Sequence, residues 1–105
     1  MDYTFVKDVS GHFQGTAYLY KLSEPIPYNW NWKEKKYTDE TEYVVASGVH
    51  AMFSGPETYI FPADEEGKVL GWGELPGSQQ GYIDPERAIR NLKDIVESGE
   101  YSEYD

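Results

Sequence analysis

The chain has 105 residues, of which 19 are Asp or Glu and 9 are Lys or Arg, for a formal net charge of −10. That length holds one domain with one modest core, and 10 Tyr, 4 Phe and 3 Trp supply enough burial area to fold it rather than leave an acidic disordered chain. The absence of Cys excludes disulfides, thiolate metal sites and a Cys nucleophile, and the strong negative charge argues against direct binding to nucleic acid or to anionic lipid.

Residues 3–9 alternate with period two, and Thr16 to Leu22 alternate again after Gly-containing residues, so the two runs read as a hairpin. From Ser23 to Glu42 the alternation breaks at Pro25 and Pro27, and this stretch is expected to be a long loop or a pair of extended edges. Tyr43 to Phe53 is the longest apolar run, apolar on both parities, and is expected at the centre of the sheet. Thr58 to Phe61 reads as a short strand. Asp64-Glu65-Glu66-Gly67 reads as a turn with a glycine at positive φ, and Lys68 to Trp72 as the returning partner strand.

One helix is expected over 85–97. Asp84 suits its N-cap, Pro85 its first position and Gly99 its C-terminal cap, while Ala88, Ile89, Leu92, Ile95 and Val96 form an apolar stripe at helical spacing. The tail from Glu100 is expected to fray. Together these elements give an α+β fold: a single domain over 1–105, with one antiparallel β-sheet of about five strands packed against one C-terminal helix. No apolar run has the length of a membrane-spanning helix, and MDYTFVKD at the N-terminus lacks the apolar stretch of a signal peptide.

Little in the chain reads as catalytic machinery. His12 and His50 are not at a local metal-binding spacing, and His50 shares the parity of Val44, Ala46 and Met52, as a half-buried strand histidine would. Ser54-Gly55 lacks the first glycine of a nucleophile elbow. Asp64 to Gly67 lacks the alternating oxygen ligands and distal Glu of a calcium loop. Gly71-Trp72-Gly73 lacks the third glycine and the following helix of a dinucleotide site. No cofactor or metal is expected.

The informative segment is Tyr28-Asn29-Trp30-Asn31-Trp32. Exposed Trp and Tyr anchor interfaces because they offer large contact area with few rotors to freeze, although the same alternation also suits one buried face of a strand. Acids follow closely. Seven lie between Tyr37 and Gly67 without a Lys or Arg, beginning with Asp39, Glu40 and Glu42, and five more lie from Asp94 to Asp105. Such a surface is either a solvated face or one aimed at a basic partner. Tyr28, Trp30, Trp32, Asp39, Glu40 and Glu42 are therefore the candidate partner-binding residues of a small, acidic, non-enzymatic protein-binding module. The alternatives are an acidic nucleic-acid mimic that blocks a DNA-binding protein, or a small ligand-binding domain or enzyme with carboxylates in a cleft. Self-association through exposed aromatics is a further use of the same residues.

Phe53-Ser54-Gly55-Pro56-Glu57-Thr58-Tyr59-Ile60-Phe61-Pro62-Ala63-Asp64, continuing through Gly67 to Trp72-Gly73-Glu74-Leu75-Pro76-Gly77-Ser78 and preceded by Tyr43-Val44-Val45, forms a distinctive motif. With it, about residues 43–90 resemble small uncharacterised proteins of actinobacteria and their bacteriophages. The resemblance carries no activity and no site residue. It implies a cytoplasmic setting in a bacterial host cell and a phage accessory role, with a bacterial host protein as partner. Residues 28–32 and the tail lie outside it.

Overall fold

A computed structural model of the chain describes residues 1–13, 15–53, 55–71 and 73–103, with the backbone alone at Ala51, Ser102 and Glu103. The sheet is an antiparallel meander of β1 (Tyr3–Asp8), β2 (Thr16–Asn31), β3 (Lys36–Ala51), β4 (Gly55–Ala63) and β5 (Gln79–Gln80), each strand beside its sequence neighbour. Helix α1 (Pro85–Ser98) follows, and 3-10 turns occupy Ser10–His12 and Glu100–Glu103. The α+β class and the single sheet with one C-terminal helix are as the sequence predicts.

Of the two readings for the segment 23–42, the structure shows the pair of extended edges and not the long loop. β2 and β3 continue pairing through Ile26–Thr41, Tyr28–Asp39 and Trp30–Tyr37 to Asn31–Lys36, forming a hairpin arm. Two irregularities hide this ladder from a period-two reading: a register shift between Lys21 and Ile26, and Asn29 in the left-handed region at φ 59°. Pro25 and Pro27 are tolerated because β1 pairs with β2 only as far as Leu22, so in the arm this side of β2 is an edge. The arm closes at Trp32–Lys35. There the Asn31 side-chain carbonyl accepts from the amides of Lys33 and Glu34, and Lys35 takes φ 53°.

The expected return strand over Lys68–Trp72 is absent among its described residues, where Val69 makes one isolated bridge to Ala63; Trp72 lies outside the described residues. β4 instead pairs with Gln79 and Gln80 at its other end. Met52 and Phe53, expected to end the central strand, form its turn and are exposed. His50 is also exposed rather than half-buried. It stands two rungs beyond Gly48, the residue over which Ile83 lies.

The central strand is covered on both faces, as its composition predicts. On one side Tyr20, Leu22, Ile26, Val44, Ala46 and Ile60 pack beneath Ala88, Ile89 and Leu92 of α1. On the other, Val9, Ala17, Leu19, Val45 and Ala63 form a smaller cluster with Phe13 and Tyr43. The turn at Asp64–Gly67 lies against this second cluster. Gly67 has φ 90°, and a Cβ there would stand 2.7 Å from Val9. The Asp64 carboxylate accepts from the amides of Glu66 and Lys68, which holds it below the usual aspartate range.

The caps of α1 are those expected. The Asp84 carboxylate accepts from the Arg87 amide at 3.1 Å, Pro85 opens the helix, and Gly99 closes it at φ 82°. Buried Thr58 locks the helix entry to β4, its hydroxyl donating to the Tyr82 carbonyl and accepting from the Asp84 amide. On the helix surface Glu86 and Arg90 pair at 3.8 Å, Lys93 reaches Asp2, and Glu97 accepts from the N-terminal amine.

Leu92 is fully buried beneath the helix, so Leu92→Ala is expected to cost about 2–5 kcal/mol in urea denaturation. Asp94→Ala, on the exposed side, should stay within about 0.5 kcal/mol of the native chain. Equal effects of the two substitutions would contradict this packing.

Candidate interaction surface

All six candidate residues lie on the β2–β3 arm, but the fold gives them different jobs. Trp32, the first residue of the closing turn, is 75% exposed. Trp30 is half-buried, with its ring edge-to-face against Trp32 at 5.9 Å and against Tyr37 at 5.0 Å. Tyr28 is buried within the helix-side core, which corrects the expectation that it is an exposed anchor. The shift in register before Ile26 aims both Ile26 and Tyr28 at the core rather than at solvent. Burial, and then the charge of Asp39 across the ladder, hold the Tyr28 phenol above its ordinary value.

Asp39, Glu40 and Glu42 are exposed, and no Lys or Arg forms an ion pair with them among the described residues. The Asp39 carboxylate accepts from the Asn29 side-chain amide at 2.8 Å and from the Thr38 hydroxyl at 3.0 Å. These bonds fix its position beside the aromatic row without neutralising its charge. The nearby lysines are otherwise engaged in part: Lys36 pairs with Glu34 at 3.5 Å.

Sequence reasoning missed Tyr37 and Tyr101. Tyr37 stands opposite Trp30 in the ladder, a placement that becomes visible once a four-residue turn at Trp32–Lys35 is recognised. Tyr101 gave no local signal, because its partners are distant in the chain. Its ring stacks at a tilt on Tyr37 at 5.8 Å, and its hydroxyl donates to the Pro27 carbonyl. The tail expected to fray from Glu100 is therefore fastened at Tyr101, which is buried; residues 104 and 105 lie outside the described residues.

The row Trp30, Tyr37 and Tyr101 separates two hollows. One, of about 520 Å³, lies between the arm and Gly71 with residues 73–78, and Glu74 is the acid among its described lining residues. The other, of about 480 Å³, includes Pro25, Pro27, Lys35 and Lys36. Trp30 borders both, and its indole N–H is buried with no acceptor among the described residues. Elsewhere, Glu57 is buried in β4, its carboxylate accepting from the Tyr59 hydroxyl. Among the described residues no cluster of three or more His, Asp or Glu is placed to hold a metal ion.

Burial pushes the Tyr101 phenol far above a tyrosine's ordinary value of about 10, with Tyr37 adding to the shift. The folded chain thus holds this proton more tightly than the unfolded chain. Its stabilising effect is complete below about pH 10 and is lost as pH rises further. Tyr101→Phe keeps the ring but removes the hydroxyl, and is expected to cost about 0.5–1.5 kcal/mol at neutral pH. In a urea-denaturation series above about pH 9, the variant should also lose stability less steeply than the native chain. Parallel slopes would contradict the burial of this phenol.

Comparison of the chain with protein-family profiles, with curated proteins and with solved structures returned no match, so the geometry of the arm carries the functional reading.

Proposed function

We propose that the chain is a small, acidic, non-enzymatic protein-binding module that engages a basic partner through the outer part of the β2–β3 arm. The observation that carries this reading is the 75% exposure of Trp32 on an arm that also bears the exposed, unneutralised carboxylates of Asp39, Glu40 and Glu42. A large exposed indole supplies contact area, and the charges supply long-range attraction and selection of a basic surface. The resemblance of about residues 43–90 to small proteins of actinobacteria and their phages supplies the proposed context, that of a phage or phage-derived accessory acting on a bacterial host protein.

The distribution of acids supports protein binding over nucleic-acid mimicry. A mimic needs its charges along one face, whereas the seven acids between Tyr37 and Gly67 are divided among the arm, the interior of β4 at Glu57 and the turn at Asp64–Glu66. A cleft enzyme would gather carboxylates. Here, among the described residues, Glu74 is the one acid bordering the larger of the two hollows at the arm.

The test is capture of a partner from an actinobacterial lysate, followed by binding kinetics with the purified pair. Raising salt should slow association much more than it speeds dissociation. Trp32→Ala should leave the fold intact and weaken binding by about 2 kcal/mol or more, close to thirtyfold, through faster dissociation. Association indifferent to salt, together with unchanged dissociation of the Trp32 variant, would refute the reading.

A further inference from the structure

The two outer edges of the sheet are finished differently. On β4, the Pro62 and Ile60 carbonyls accept from the Leu70 and Leu75 amides, the Ile60 amide donates to the Ser78 hydroxyl, and Glu57 and Thr58 pair with β5. β1 has no such cover, since no strand among the described residues pairs with its outer side. We infer that this edge pairs with the same edge of a second copy of the chain, forming an antiparallel, two-fold symmetric dimer centred on Thr4.

Backbone direction makes the first argument. The Asp2 carbonyl accepts from the Ser23 amide, so this residue turns its backbone polar groups towards β2. By alternation along the ladder Thr4 does the same, while Tyr3 and Phe5 turn theirs to the open side. An antiparallel copy set about Thr4 places Tyr3 opposite Phe5 twice, so the outward amides and carbonyls of both residues find partners. Centring the pair on Phe5 instead would draw in the register shift between Phe5 and Lys7, where a ladder is disrupted.

The side chains make the second argument. Phe5 is 54% exposed, although its ring lies edge-to-face against Tyr18 and Tyr20, and Tyr3 meets Tyr20 in the same way. An open strand edge that carries exposed apolar surface is a template for association. In the Thr4-centred register, Tyr3 and Phe5 of one copy meet Phe5 and Tyr3 of the other on the helix side of the sheet. Thr4 meets Thr4 on the opposite side. Aromatic pairs and Thr–Thr pairs both stabilise antiparallel ladders. A foreign strand would have to supply that pattern, whereas a second copy brings it by symmetry. The antiparallel sense also carries the exposed Asp2 of each copy towards the exposed Lys7 end of the other.

The same features set the limits of the dimer. Lys7 and the register shift guard the far half of β1, so the paired stretch is short and the association weak. A symmetric pair uses up β1 in both copies, so growth stops at two. Tyr3 lies opposite Leu22, beside the start of the arm, so the two arms leave an antiparallel dimer at opposite ends and both Trp32 tips stay free. A charge of −10 on each copy opposes the contact, so added salt strengthens it, the reverse of its effect on capture of a basic partner.

The test uses the full chain in sedimentation velocity and in disulfide trapping. The native chain should move from monomer towards dimer as its concentration rises into the millimolar range, and further at high salt. Phe5→Lys, at an exposed position, should keep the fold and remain monomeric. Trapping reads the register without relying on that variant. The chain has no Cys, so a single introduced thiol can form a disulfide only between copies. Across the axis the two Thr4 Cα atoms form a non-hydrogen-bonded pair about 4.5 Å apart, within the reach of a disulfide. With oxidised glutathione as the oxidant, Thr4→Cys should link at least about tenfold faster than Gln80→Cys, which is exposed on the opposite edge of the sheet. A native chain that stays monomeric throughout, a dimer that persists in Phe5→Lys, or equal linking of the two Cys variants would overturn the inference.

Discussion

The pairing of β2 with β3 is the constraint on which the rest of this molecule depends. Each strand is 16 residues long, but their ladder lives in two environments. At one end β1 and β4 flank it and both faces are covered, so Val44, Val45 and Ala46 are all fully buried. At the other end, after Leu22 in β2 and before Tyr43 in β3, no further strand pairs with the two among the described residues. A bare two-stranded ribbon is marginal in water. What steadies it is cover from the C-terminal segment: Gly99 ends α1 in the left-handed region, and the following 3-10 turn brings Tyr101 onto Tyr37 and the Pro27 carbonyl.

This arrangement divides labour along a single aromatic row. Tyr28 and Tyr101 are buried and hold the arm in place. Trp30 and Tyr37 join that anchored part to the tip, where Trp32 stands in solvent. A binding surface built on a fastened arm loses little freedom on association, which is the physical advantage of placing contact residues on paired strands rather than on a loose loop. The acids beside the row complement this, since they act at a distance and need only be exposed.

The parts of the fold legible in the sequence were those fixed by local chemistry. Asp84, Pro85 and Gly99 mark the helix because caps are decided within one turn, and Asp64 to Gly67 mark their turn because a carboxylate satisfies neighbouring amides. The arm was left open between a long loop and a pair of extended edges, although Ile26, Tyr28 and Trp30 do alternate. Pro25, Pro27 and the left-handed Asn29 look like breakers, and they are tolerated because of where β1 stops, a fact of tertiary structure. Lys68 to Leu70 departed in the opposite sense: Val69 bridges Ala63 and the Leu70 amide donates to the Pro62 carbonyl, but the return goes no further, and the Ile60 carbonyl accepts from the Leu75 amide instead. At the candidate site the three acids were legible as a charged surface, Trp32 was left between an exposed anchor and a buried strand face, Tyr28 was misassigned, and Tyr101 was beyond reach because 74 residues separate it from Pro27.

Hydrogen exchange along the arm tests this account most directly. The paired amides of residues 26–31 and 36–41 should exchange far more slowly than those of the Trp32–Lys35 turn. Tyr101→Ala should speed them selectively while residues 44–46, covered on both faces, keep their protection. Arm amides that exchange as fast as the turn in the native chain would contradict it.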